Sequence, residues 1–339
     1  MRFREGLLAV AAVAMGLSLT PGTAAAVERD VATDLVVPWD IAFLPDQSAL
    51  VTERGSARVL SVSDGTTREV ARIPGVVAEG EGGLLGIAVS PSYTTDGYVF
   101  VYYTSTSDNR IARFRIGETP QPIVTGIPRG RTIHNGGGLS FGPDGLLYAG
   151  TGDAGNTANA QNPSSLAGKI LRMTMDGTPA PGNPTSSLVY SLGHRNVQGL
   201  AWDTGGRMFA AELGQNRLDE LNGIRAGGNY GWPTCEGACN DPRFVDPLLT
   251  WSTATASPSG LAFHNGSLYM AALRGQRLWK IPVGADGAVG QPAALFSGTY
   301  GRLRGVASAP DGTLWFSTSN RDGRGSVRPG DDRIVSTTS

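Results

Sequence analysis

The segment LSFGPDGLLYAGTGD, Leu139 to Asp153, spells out a β-hairpin. An apolar pair leads into the turn Pro143-Asp144-Gly145, and an alternating apolar run follows from Leu146. Asp-Gly supplies the positive φ angles that tight hairpin turns need. Alternation of period two marks a strand with one buried face. The phrase has five echoes. They are IAFLPDQSALVTE from Ile41, IAVSPSYTTDGYVFVYYT from Ile87, LAWDTGGRMFAAEL from Leu200, LAFHNGSLYMAAL from Leu261 and VASAPDGTLWFSTS from Val306. Successive starts lie 46, 52, 61, 61 and 45 residues apart. Four short strands with their turns fill roughly 40–50 residues, one propeller blade, and the longer intervals leave room for loops. Six such units closed into a ring protect most sheet edges. A two-sheet sandwich also uses hairpins but gives no reason for six copies of one phrase. The expected fold is all-β, a six-bladed β-propeller in a single domain over residues 27–339.

Composition agrees. Gly makes up 48 of 339 residues, about twice the usual share of roughly 7%, which fits many tight turns. Hydrophobic residues at 40% and charged residues at 17% permit a large core and argue against general disorder. The net charge is -1 and no long basic run occurs, so nucleic acid is excluded as an expected partner.

Arg2 and Arg4 precede an apolar stretch of 13 residues, Leu7 to Leu19, and Ala24-Ala25-Ala26 offers a small-residue cleavage site. This predicts a secretory signal over residues 1–26, too short to span a bilayer as a helix. The mature chain would start near Val27 and be secreted or extracytoplasmic, without stable membrane insertion. An uncleaved anchor is the alternative. Cys235 and Cys239 are predicted to form a local disulfide in an exported chain, with free thiols as the alternative.

Five polar clusters flank the phrases. In Thr132-Ile133-His134-Asn135-Gly136-Gly137-Gly138, His134 can take a proton from an alcohol near neutrality, and the glycines allow close approach of a flat ligand. The bland reading is a structural His in a turn. Arg195-Asn196 offers a planar cationic fork beside a group that both donates and accepts, or else an inter-blade salt bridge. Glu212 to Glu220, followed by Gly227-Gly228-Asn229-Tyr230-Gly231, combines acids with Gly-rich backbone, which suits calcium or a solvated loop. Arg302 and Arg304 alternate in an extended segment, so both can face one polycarboxylate or simply edge a strand. Glu81, in Gly80-Glu81-Gly82-Gly83, is ambiguous alone. Ring closure would bring these loops to one mouth.

The stretches VPWDIAFLPD, EGGLLGIAVSP, HNGGGLSFGPDG, GHRNVQGLAWD, DELNGIRAGGNYGWP and RLRGVASAPDG, in this order, resemble the soluble PQQ-dependent glucose dehydrogenases and aldose sugar dehydrogenases. The resemblance runs through nearly all of the chain beyond residue 26. It implies a six-bladed propeller with PQQ over the channel mouth, His134 as general base, Arg195 polarising the quinone C5 carbonyl, and Asn196 as its cofactor-contacting neighbour. It implies that Arg302 and Arg304 bind PQQ carboxylates, with Arg274 near a further basic contact. The carbonyls of Gly214 and Gln215 would hold the calcium on PQQ, and Glu220 with the carbonyl of Tyr230 a separate structural calcium. Glu81 stands beside the implied cofactor site where the glucose enzymes carry Gln. Ile133 stands where they carry Asp, so His134 lacks that orienting partner or uses another. The implied reaction oxidises the C1 hydroxyl of an aldose to a lactone and passes electrons to an external acceptor. Two other readings stay open: a non-catalytic secreted binding propeller, and a calcium-dependent lactonase-like hydrolase.

Overall fold

The structure, a computed structural model, describes residues 1, 27–63 and 65–338. Apart from residue 1, the predicted export signal lies outside the described residues. No helix among the described residues is long and apolar enough to cross a membrane.

Six four-stranded antiparallel sheets form the six blades of a propeller. Each phrase supplies the first two strands of one blade. The first strands are Pro38–Phe43, Leu84–Val89, Leu139–Phe141, Val197–Trp202, Pro258–His264 and Leu303–Ser308, and these pack against one another around the axis. In blades one to five the chain then runs outward strand by strand. The sixth differs: Glu28–Ala32 pairs with Ile334–Thr337 as its outermost strand. The start of the described chain thereby closes the ring, a pairing that no local pattern announces.

Core side chains sit between neighbouring blades. Trp39 of blade one, Leu85 and Phe100 of blade two, and Leu139 and Leu147 of blade three share one buried cluster. Each such large apolar side chain stabilises the fold by roughly 1.5–3 kcal/mol relative to exposure. At the axis, five first strands carry a glycine just before the phrase, namely Gly86, Gly138, Gly199, Gly260 and Gly305. A Cβ on any of them would lie 2.2–3.0 Å from backbone of the next blade. The first blade has Asp40 instead, whose carboxylate accepts the N–H groups of Ile41 (2.9 Å) and Ile87 (3.1 Å).

In all six blades but the third, pairing of the first two strands shifts register near the strand start, as between Leu303 and Val306. Bulges of this kind re-aim side chains. The start of each first strand and the end of each second strand lie at the same mouth of the ring, because the two strands are antiparallel.

Candidate active site

His134 lies between the last strand of the second blade and Leu139–Phe141 of the third, and has φ 57°, a left-handed conformation that costs of order 1 kcal/mol or more in a non-glycine residue. Its backbone is clamped on both sides. The N–H donates to Glu81 Oε2 (2.9 Å), and the carbonyl accepts from Ala154 N–H (3.2 Å). The ring Nδ1 lies 2.7 Å from Asp153 Oδ1. Asp153, fully buried, also accepts Gly155 N–H at Oδ1 (2.7 Å) and Trp232 Nε1–H at Oδ2 (2.9 Å). Burial acts most strongly and would raise this acid. The hydrogen bond and charge of His134, with Trp232 and Gly155, outweigh it and hold the carboxyl below the usual range. An ionised carboxylate only accepts. In its neutral form His134 therefore carries its proton on Nδ1, which leaves the lone pair on Nε2. The orienting partner missing at Ile133 is Asp153, the last residue of the third phrase.

The other histidines do not offer such an atom. His194 is fully buried, with Nε2 on Ser191 Oγ (2.8 Å), Nδ1 on Glu212 Oε2 (2.8 Å) and its ring stacked on Tyr230. His264 is engaged by Ser308 (2.8 Å) and Asn265 (2.9 Å) on the far side of the ring.

Two adjoining cavities open at the mouth. One, of about 220 Å³, is lined among others by Glu81, His134, Arg195, Asn196, Gly214, Gln215 and Arg274. Arg195 donates from one terminal nitrogen to the carbonyl of Leu213 (3.1 Å), and its guanidinium lies 5.5 Å from the centre of the Trp232 ring. Its Nε is buried with no partner among the described residues. Asn196 spends its oxygen on Gly136 N–H (2.9 Å). Arg274 sits exposed on the rim.

The second cavity, of about 200 Å³, shares Glu81 with the first and is lined by Arg54, Arg302, Arg304, Asp322 and Arg324. Arg302 and Arg304 do face one point, and Asp322 occupies it, with Oδ2 at 2.9 and 3.5 Å from their terminal nitrogens. Burial, and next the charge of Arg54, pulls Arg304 down to about 9. Glu81 is less a simple ligand contact than a bridge, since its other oxygen pairs with Arg324 at 3.2 Å. Arg54, Asp153, Asp322 and Arg324 escaped the sequence reading. A signal existed: each follows the second strand of a blade, where the chain returns to the mouth.

Gly214 and Gln215 begin a tight loop organised by Glu236, which lies between the paired Cys235 and Cys239 (Cα atoms 5.4 Å apart). One oxygen of Glu236 accepts the N–H groups of Gln215, Asn216, Arg217 and Leu218 at 2.7–3.2 Å. Behind this loop, Glu212, Glu220 and Tyr230 surround a small void. Glu220 accepts Gly237 N–H (2.7 Å) and the Asn222 amide (3.1 Å). Burial, then the neighbouring Glu212 carboxylate, pushes Glu220 well above the usual carboxylate range. Asn222 Oδ1 is buried without a partner among the described residues. Among the described residues, no three His, Cys, Asp or Glu side chains cluster as a metal site.

Comparison with known proteins identifies the family and the fold. The glucose/sorbosone dehydrogenase family profile matches residues 35–327. The PQQ-bound aldose sugar dehydrogenase of Streptomyces coelicolor is 52% identical with a TM-score of 0.88, over 93% of this chain and 98% of that one. The aldose sugar dehydrogenase YliI of Escherichia coli is 27% identical over 84% of this chain and 88% of its own length. Quinoprotein glucose dehydrogenase B of Acinetobacter calcoaceticus is 30% identical over 64% of this chain and 54% of that protein. With the profile covering most of its length and the propeller and its mouth in place, the chain belongs to the glucose/sorbosone dehydrogenase family.

Proposed function

We propose that this protein is a PQQ-dependent aldose dehydrogenase of the extracytoplasmic space that uses calcium. The observation carrying the proposal is the His134–Asp153 pair, with Nε2 free, in a cavity that adjoins an arginine cluster.

The residues present fit PQQ. A flat tricarboxylate needs cationic forks, and Arg302, Arg304, Arg195 and the rim residue Arg274 supply them. The unpartnered Nε of Arg195 is a donor that a quinone oxygen would satisfy. Asn196 would contact the same group with its amide N–H. The backbone of Gly214 and Gln215 offers carbonyl oxygens for a calcium ion on the cofactor. The buried Glu212–Glu220 pair with the orphaned Asn222 oxygen is short of a cation, which supports a second, structural calcium held by Glu220 and the carbonyl of Tyr230.

When bound, PQQ supplies a carbonyl carbon that accepts a hydride, and calcium polarises it. The chain does the rest. His134 Nε2 takes the proton of the sugar C1 hydroxyl as C1 loses its hydride, and the product is a lactone. Asp153 holds the tautomer and stabilises the imidazolium that results. Arg195 stabilises negative charge on the oxygen it faces. An external acceptor then removes the electrons.

The test adds PQQ and calcium to purified apo-protein and follows dye reduction over a panel of aldoses. Reduction that needs both additions supports the proposal. Stoichiometric PQQ uptake with no turnover of any aldose would make the protein a binding propeller instead.

A further inference from the structure

The second cavity holds more positive charge than its own acids neutralise. Four guanidinium groups and two carboxylates line it. Arg324 is paired with Glu81, and Arg302 and Arg304 share the single Asp322. Arg54 is the one left over: its guanidinium has no ion pair and no hydrogen bond among the described residues, although Asp322 and Glu81 act on it from a distance.

The placement of Arg54 is built in. It follows the strand Ala49–Glu53, and its backbone is tied to both neighbours, N–H to the carbonyl of Val37 (3.1 Å) and carbonyl to the N–H of Leu84 (3.0 Å). The side chain passes over Gly83, where φ is 145°. A Cβ at that position would lie 2.4 Å from the Arg54 carbonyl oxygen and 2.7 Å from its Cγ. Glycine at 83 thus makes room for Arg54 to reach the cavity. Arg54 is partly buried, and its unpaired guanidinium leaves the cavity with a net positive charge. That excess calls for an anion with at least two negative groups, one for the shared Arg302–Arg304 pair and one for Arg54.

We infer that Arg54 is a further anchor of the cofactor, binding a carboxylate distinct from the one at Arg302 and Arg304; this rests on the PQQ reading above. Arg54 binds the ligand and does not touch the sugar.

The experiment measures the PQQ dissociation constant of full-length apo-protein in excess calcium, by quenching of tryptophan fluorescence, for wild type, Arg54→Met and Arg54→Lys. Apo-protein melting is recorded for each. Loss of one charge-assisted contact predicts Arg54→Met weaker by roughly 10- to 100-fold. Arg54→Lys, which keeps the charge but not the planar fork, should lie between, several-fold weaker than wild type. At saturating PQQ the sugar KM should match wild type in both. Arg54→Met with wild-type affinity, or Arg54→Lys as weak as Arg54→Met, overturns the inference. If Arg54→Met does not fold, Arg54→Lys decides alone, and wild-type affinity there overturns it. A wild-type chain that takes up no PQQ removes this inference together with the reading beneath it, whereas equal PQQ binding by wild type and variants removes the inference only.

Discussion

Replacing Asp153 with Asn should disable His134 without touching it. Asp153 Oδ1 accepts two donors, His134 Nδ1–H and Gly155 N–H, and Oδ2 accepts the indole N–H of Trp232. An amide has one oxygen, so it must choose. Facing the oxygen to His134 leaves the NH2 group against the N–H of Trp232, a buried residue. An unpaired buried donor there costs roughly 1–3 kcal/mol. Facing the oxygen to Trp232 leaves the NH2 group against His134 and Gly155. Gly155 is exposed and its N–H can turn to water. The imidazole can adapt by moving its proton to Nε2, so the second orientation is the cheaper one. It puts a proton on the atom that has to accept one. General-base catalysis is worth about 10²–10⁴ in rate, and Asp153→Asn should cut kcat by that order at saturating PQQ and calcium. The PQQ dissociation constant should stay near wild type, because no cofactor fork is altered. Long-range ¹H–¹⁵N correlation of the imidazole reads the tautomer directly, Nδ1–H in wild type and Nε2–H in the variant. Combined with His134→Ala, the effect should not add, since the two residues act as a unit. Near-normal kcat in Asp153→Asn, with bound PQQ, would refute the reasoning, and so would a variant that loses activity while keeping Nδ1–H.

Arg304→Ala should raise the PQQ dissociation constant and leave sugar KM almost unchanged at saturating PQQ; the reverse pattern would assign the pair to the sugar. Thorough chelation should lower the melting temperature, because calcium binds only the folded chain, and Glu220→Ala should blunt that response. Burial raises Asp40 from 3.8 to about 7, against the hydrogen bonds of Ile87 and Ile41. The folded chain then holds a proton there that the unfolded chain releases, so this group's stabilisation is complete below about pH 4 and is lost as pH rises through 7. Urea titrations between pH 4 and 8 should show Asp40→Asn losing less stability than wild type over that window, and parallel curves would count against it. Secreted protein should show near-zero thiol labelling at Cys235 and Cys239 without reductant, two labels per chain being the contrary result.

Strands and turns are local, and local chemistry was legible. Six copies of one hairpin phrase, each with a turn rich in Pro, Asp or Gly and a period-two run, were enough to count the blades and to find where each begins. The loops bearing His134, Arg195 and the Arg302–Arg304 pair were found because they abut those phrases, and ring closure does gather them at one mouth. What the phrases could not say is which side chains meet once the ring closes. Asp153 reaches His134 across 19 residues, Arg324 reaches Glu81 across 243, and Glu28–Ala32 completes the sheet of Ile334–Thr337 from the opposite end of the chain. The charge excess around Arg54 exists only as a sum over side chains from three blades. Such contacts depend on the positions of residues in space and carry no periodicity along the chain. Sequence alone therefore determined the architecture and the kinds of group at the mouth. Only the tertiary structure decided their pairing, and with it which nitrogen of His134 faces Asp153 and that Arg54, in the second cavity, has no partner among the described residues.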